Sequence, residues 1–155
     1  MAEPRPETRA NEPHRNPDDP SLSRLLAEAR RIAVVGLSPK PHRDSHRIAR
    51  YLLERGYEVI PVYPREDEIL GQRVYRRVRD IPGRVDLVDV FRRSEGLPEV
   101  VEDAVAAGAP ALWFQLGCVH EDAAQRAEQA GATVVMDRCI MVDHARLLGR
   151  GWRRP

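Results

Sequence analysis

The stretch Arg31-Ile-Ala-Val-Val-Gly36-Leu37-Ser38-Pro39-Lys40-Pro41-His42-Arg43-Asp44-Ser45 decides the reading of this chain. An apolar run ends in a glycine, passes through a short turn and opens onto helical spacing, as a mononucleotide-binding strand–turn–helix unit begins. The two further glycines of the dinucleotide fingerprint G-x-G-x-x-G are missing; Ser38, Pro39 and Pro41 stand on that ground. Lys40 and Arg43 add positive charge, and Ser38 and Ser45 add hydroxyls. Free N–H groups at a helix start, with two cations and two hydroxyls beside them, suit a phosphate. A turn stiffened by two prolines does not suit NAD.

Working outward, strand and helix signals alternate. A helix is predicted from Asp19-Pro20-Ser21, with Asp19 or Ser21 as cap and Leu22, Leu25, Leu26 and Ala29 on one face. Ile32–Val35 reads as a buried parallel strand. Ser45–Arg55 reads as a helix stopped by Gly56, and Glu58–Val62 as the second strand, closed by Pro64. Gln72–Tyr75 is a short strand and Val78–Ile81 a helical turn. Strands over Val85–Phe91, Ala111–Leu116 and Thr133–Met136 then alternate with helices over Pro98–Ala107, Glu121–Ala130 and Cys139–Leu148. The expectation is an α/β fold: a Rossmann-like, doubly wound parallel sheet of about five strands with helices on both faces. It occupies one domain over residues 21–149, preceded by a disordered or loosely draped proline-rich arm over 1–20 and followed by a basic tail over 150–155.

Bulk composition narrows the function. The chain has 155 residues, 32% of them charged, yet a net charge of only +1. That balance excludes a general nucleic-acid or membrane-surface binder. No apolar stretch approaches the roughly 18–20 residues of a membrane span. Two cysteines, Cys118 and Cys139, are too few for a disulfide framework and fit a reducing cytoplasm.

In open parallel sheets ligands bind beyond the C-terminal strand ends, so the residues that follow each strand are the candidates. After the second strand come Tyr63, Pro64 and Arg65, suited to flank an adenine and meet a ribose phosphate; Glu66 is near enough to keep an NAD reading open. Phe91, Arg92 and Arg93 end the third core strand, and arginine forks hold phosphate bidentately. Gln115 follows the fourth, a neutral amide able to orient a peptide-like ligand or to bond neighbouring loop backbone. Gly117 permits close approach or a sharp turn. Cys139 lies beside Arg138, a setting that can lower a thiol pKa, although a small buried hydrophobe is the commoner fate of a free cysteine. His42 with His46, and Asp137, Cys139, Asp143 and His144, lack a recognised metal-ligand spacing. No G-x-S-x-G elbow, phosphate-binding Walker loop or H-E-x-x-H helix is present.

Taken in order, Val34-Val-Gly36-Leu-Ser38-Pro39 with Arg43 and Ser45, Gly56-Tyr57-Glu-Val-Ile-Pro61-Val-Tyr63-Pro64, Val85-Asp86-Leu-Val-Asp89-Val-Phe91-Arg92-Arg93, Trp113-Phe-Gln115-Leu-Gly117 and Val135-Met-Asp137-Arg138-Cys139 resemble the small stand-alone CoA-binding domain proteins of bacteria. These are related in fold to the CoA-binding domain of the succinyl-CoA synthetase alpha subunit. The resemblance spans about Ser21 to Leu148 and implies coenzyme A, or an acyl-CoA, as ligand. It implies that Gly36–Arg43 (Leu37, Pro39 and Lys40 included) and Ser45 meet the phosphates. Tyr63–Arg65 and Phe91–Arg93 line the nucleotide, and Gln115–Gly117 the cleft beyond. The expected function is a non-enzymatic CoA-binding module, with a protein partner left open. The alternatives are an NAD(P)-linked or acyl-transferring enzyme or partner subunit, and a thiol-redox protein forming a mixed disulfide with CoA.

Overall fold

The computed structural model describes residues 13–155. Five parallel strands form one sheet in the order β2 (Glu58–Val62), β1 (Arg31–Val35), β5 (Leu87–Val90), β6 (Ala111–Phe114), β7 (Thr133–Val135). A two-stranded hairpin, β3 (Glu68–Ile69) with β4 (Gln72–Arg73), lies outside it. Side chains alternate along each strand, so successive residues feed two cores. Ile32 and Val34 pack with α1 (Asp19–Glu28), α2 (Asp44–Glu54) and α5 (Ile140–Leu148). Ala33 and Val35 pack with α3 (Leu97–Ala106) and α4 (Glu121–Gln129). The sheet is thus covered on both faces, which is why its strands are nearly continuous apolar runs.

The predicted short strand Gln72–Tyr75 survives only in part: β4 stops at Arg73 and a single parallel bridge joins Tyr75 to Val62. Tyr75 donates its N–H to Pro61 O (2.9 Å), and Tyr63 donates to Tyr75 O (3.0 Å). Counting that bridge as a strand, the order is that of a dinucleotide fold; without it, that of the flavodoxin type. Either way the chain reverses direction of progress between β1 and β5, and the switch point lies at their C-terminal ends.

At the first helix the cap is Asp18, one place before the candidate Asp19 and three before the candidate Ser21; its carboxylate accepts from Ser21 N at 3.0 Å. Residues 1–12 of the expected arm lie outside the described residues. Residues 13–18 are tied down. His14 N donates to Glu121 (2.9 Å), and the Asn16 amide bonds Met136 in both directions, Nδ2 to O at 2.9 Å and Met136 N to Oδ1 at 2.8 Å. The C-terminal tail is docked as well: Trp152 lies against Tyr57 and His144, and Arg154 N donates to Arg55 O at 2.9 Å. No helix among the described residues is long and apolar enough to cross a membrane.

Candidate functional site

At the switch point Gly36, with φ +82°, turns the chain out of β1 so closely that a Cβ there would sit 2.1 Å from Phe91 O. The turn is then held by its own side chains. Ser45 Oγ accepts from Ser38 N (3.0 Å), Ser38 Oγ from Lys40 N (3.1 Å), and the His46 ring nitrogen Nδ1 lies 2.8 Å from Ser38 O. Arg43 occupies the N-cap position of α2 and supplies no side-chain acceptor. The terminal N–H groups of that helix therefore remain available to an outside acceptor. The turn and the β2 end enclose an open cleft of about 320 Å³ lined by Gly36, Ser38, Lys40, Arg43, Ser45 and Tyr63.

Six of the sequence-predicted residues thus meet around one cleft. The others lie as follows. Leu37 is fully buried, packed in the α1–α2–α5 core, so its side chain faces away from any ligand. Pro39 is half-buried on the turn; Pro64 and Arg65 are exposed on the loop after β2. Phe91 is half-buried next to Gly36, and Arg92 and Arg93 are exposed beyond it. Gly117 N donates to Asp137 Oδ1 at 2.8 Å. Gln115 is buried, and its Nε2 is spent on the Asp89 carboxylate (2.5 Å). Both uses offered for its amide, a peptide-like ligand or loop backbone, give way at this nitrogen to a side chain on the neighbouring strand.

Lys40, Arg43, Arg65, Arg92 and Arg93 share one more property: among the described residues none has an ion-pair or hydrogen-bonded partner for its side-chain charge. Some other arginines are matched, as Arg79 is with Asp103 and Arg126 with Glu102; what sets these five apart is their place after three adjacent strands. Arg138, read as a neighbour of the Cys139 thiol, is forked onto Asp143 at 2.6 and 3.0 Å, and Arg146 shares that carboxylate. Cys118 is buried with its Sγ 3.0 Å from Arg92 O, and burial raises its thiol pKa. No three His, Cys, Asp or Glu side chains converge to hold a metal among the described residues.

Two residues that shape the site escaped the sequence reading. Arg76 donates one guanidinium nitrogen to the carbonyls of Tyr63, Arg65 and Glu66 (3.0, 2.9 and 2.8 Å) and so pins the loop after β2. Asp89 sits fully buried in β5, where burial pushes its carboxyl up to about 7 against the donated bond from Gln115. A charged residue inside the run Leu87-Val-Asp89-Val was the available signal.

A doubly wound parallel sheet with an uncapped helix terminus and unpaired cations at its switch point defines a Rossmann-like α/β domain with a cation-rimmed strand-edge cleft. Comparison with known proteins makes this specific: residues 30–145 match the model of the CoA binding domain, and the chain belongs to that family. It is 45% identical over 130 residues to the uncharacterized protein YneT of Bacillus subtilis (strain 168), covering 84% of this chain and 96% of that one. It is 34% identical over 89 residues to the alpha subunit of the ADP-forming acetate–CoA ligase I of Pyrococcus furiosus, where the match takes in 54% of this chain but 19% of that protein. A solved structure, a hypothetical protein from Pyrococcus horikoshii OT3, superposes with a TM-score of 0.84 at 40% identity, covering 96% of this chain and all of that one (100%).

Proposed function

We propose that this protein binds coenzyme A or an acyl-CoA in the cleft at the β1–β5 switch point, as a binding module without catalysis of its own. One observation carries the reading: Lys40, Arg43, Arg65, Arg92 and Arg93, without protein counter-charges among the described residues, follow three adjacent strands beside the uncapped start of α2. CoA presents a ribose phosphate and a pyrophosphate at one end and a neutral amide arm at the other. The phosphates fall to the α2 terminus, Lys40 and Arg43; the adenosine falls to Tyr63, Pro64 and Arg65 and to Phe91–Arg93; the arm runs toward Gln115 and Gly117. The family membership supports the ligand class, and the named alpha subunit supports a protein partner that would bring the catalytic groups.

A thermal-shift titration tests this with CoA, dephospho-CoA, NAD and NADP in parallel. Ligand at one hundred times its dissociation constant should add about 2.7 kcal/mol of stability. CoA is expected to shift the transition, and dephospho-CoA to shift it less, because the arginines lose the ribose phosphate. A shift with NAD instead, or equal shifts with CoA and dephospho-CoA, would overturn the assignment.

A further inference from the structure

Alternation along β5 and β6 turns Asp89 and Gln115 to the sheet face covered by α2 and α5, the face on which the Gly36 turn opens. By register Asp89 stands between Val34 of β1 and Trp113 of β6, and Gln115 follows the end of β6, its N–H bonded to Val90 O at 3.2 Å. Asp89 is fully buried, and its Oδ2 has no partner among the described residues. Its Oδ1 accepts from Gln115 Nε2 at 2.5 Å. Burying a carboxyl with one donor costs stability that an apolar side chain would not, so packing does not account for an acid here.

The orientation of the neighbouring amide does. A glutamine amide has a donor end and an acceptor end. With one of its two N–H groups on Asp89, Nε2 is held at the carboxyl, and the carbonyl oxygen is the end of the amide turned away from it. Ionised, as at pH 8, the Asp89 carboxylate can only accept, whereas an asparagine at position 89 could donate its own NH₂ to Gln115 and let the amide reverse.

We propose that Asp89 is a positioning residue: by holding Gln115 Nε2 it presents Gln115 Oε1 to the ligand, and so selects an arm that donates an N–H at this point. The amide-bearing arm of CoA is such a donor. This inference rests on the CoA reading and adds to it the residue that discriminates among CoA-like arms.

Calorimetric titration of CoA and of adenosine 3′,5′-bisphosphate, which lacks the arm, into wild type, Asp89→Asn, Gln115→Leu and the double variant separates the two ideas. Asp89→Asn, which keeps the side-chain volume, is expected to weaken CoA about tenfold and to leave the bisphosphate unchanged. Gln115→Leu should do the same, and the double variant should lose no more than either single one. Unchanged CoA affinity in Asp89→Asn, equal weakening of both ligands, or additive losses would overturn the positioning role while leaving CoA binding standing. A wild type that does not bind CoA would overturn the CoA reading and the role together.

Discussion

A single methyl group at position 36 would have to occupy the space of the Phe91 carbonyl oxygen, and at a φ of +82° that side chains avoid. Gly36→Ala is therefore expected to lower stability by roughly 2–4 kcal/mol in urea denaturation, and to push the Gly36–Ser45 turn off the end of β5. Gly117 has the same sign of φ but open space around a Cβ, so Gly117→Ala should cost only about 1 kcal/mol. The contrast separates close approach from backbone conformation. Asp89 makes its contribution through pH. Its folded pKa, about 7, lies above the ordinary value of 3.8, so the folded state holds its proton more tightly. That advantage is complete below about pH 4 and is lost as the pH rises through 7. Asp89→Asn should accordingly be more stable than wild type at pH 8, by on the order of 2–4 kcal/mol, with the gap narrowing steadily toward pH 4.

Among the elements, α5 and the tail behind it form one unit. His144 is buried under Trp152, edge-on to the rings of Tyr51 and Tyr57, with Nδ1 2.9 Å from Tyr51 Oη. Burial, and then the charge of Arg55, hold its pKa down at about 4. The unfolded chain takes up this proton near pH 6.5 and the folded chain does not, so stability is full above 6.5 and declines as pH falls toward 4. Truncation after Gly149 removes Trp152. It should cost about 2–3 kcal/mol at pH 7 and flatten the decline, which melting temperatures at pH 4.5 and 7 would show. Sequence reading reached the elements far better than such contacts. The β5 and β6 runs and the glycine stops after α2, α3 and α4 are local signals, and the strands and helices fall within a few residues of where those signals put them. The Asp18 cap is local, with adjacent Asp18 and Asp19 competing for it, whereas the one-residue Tyr75 bridge and the docking of Trp152 depend on residues distant in the chain. The site divides the same way. The Gly36–Ser45 turn is contiguous and legible, whereas the side-chain partner of Gln115, left open between a ligand and loop backbone, is Asp89, 26 positions away on another strand. Asp89 itself was absorbed into an apolar run.

For the molecule as a whole, the two buried groups oppose each other. Between pH 4 and 6.5 His144 makes the fold more stable as pH rises and Asp89 makes it less so. Denaturant titrations of wild type across this window should give a nearly level profile. Asp89→Asn should slope upward with pH, and the tail truncation downward. A wild type as steep as either variant would refute the balance. The sheet as a whole has a related symmetry. Tyr75 occupies the open side of β2, and the Asn16 amide occupies the strand end beyond β7 at Met136. Asn16→Ala exposes that N–H and C=O, and concentration-dependent light scattering should rise in the variant.

Each border of the sheet is thus met at its C-terminal end by a single residue reaching in from elsewhere in the chain. Each such contact interrupts the row of backbone groups that an added strand would pair with, and so shortens the template at that border. Side chains rather than backbone are then the readier surface for a partner, and Leu116 and Val119 stand exposed beside Gly117. On the proposed reading, in which the domain holds a cofactor for others to use, such contacts would let partners change while its own sheet stays intact.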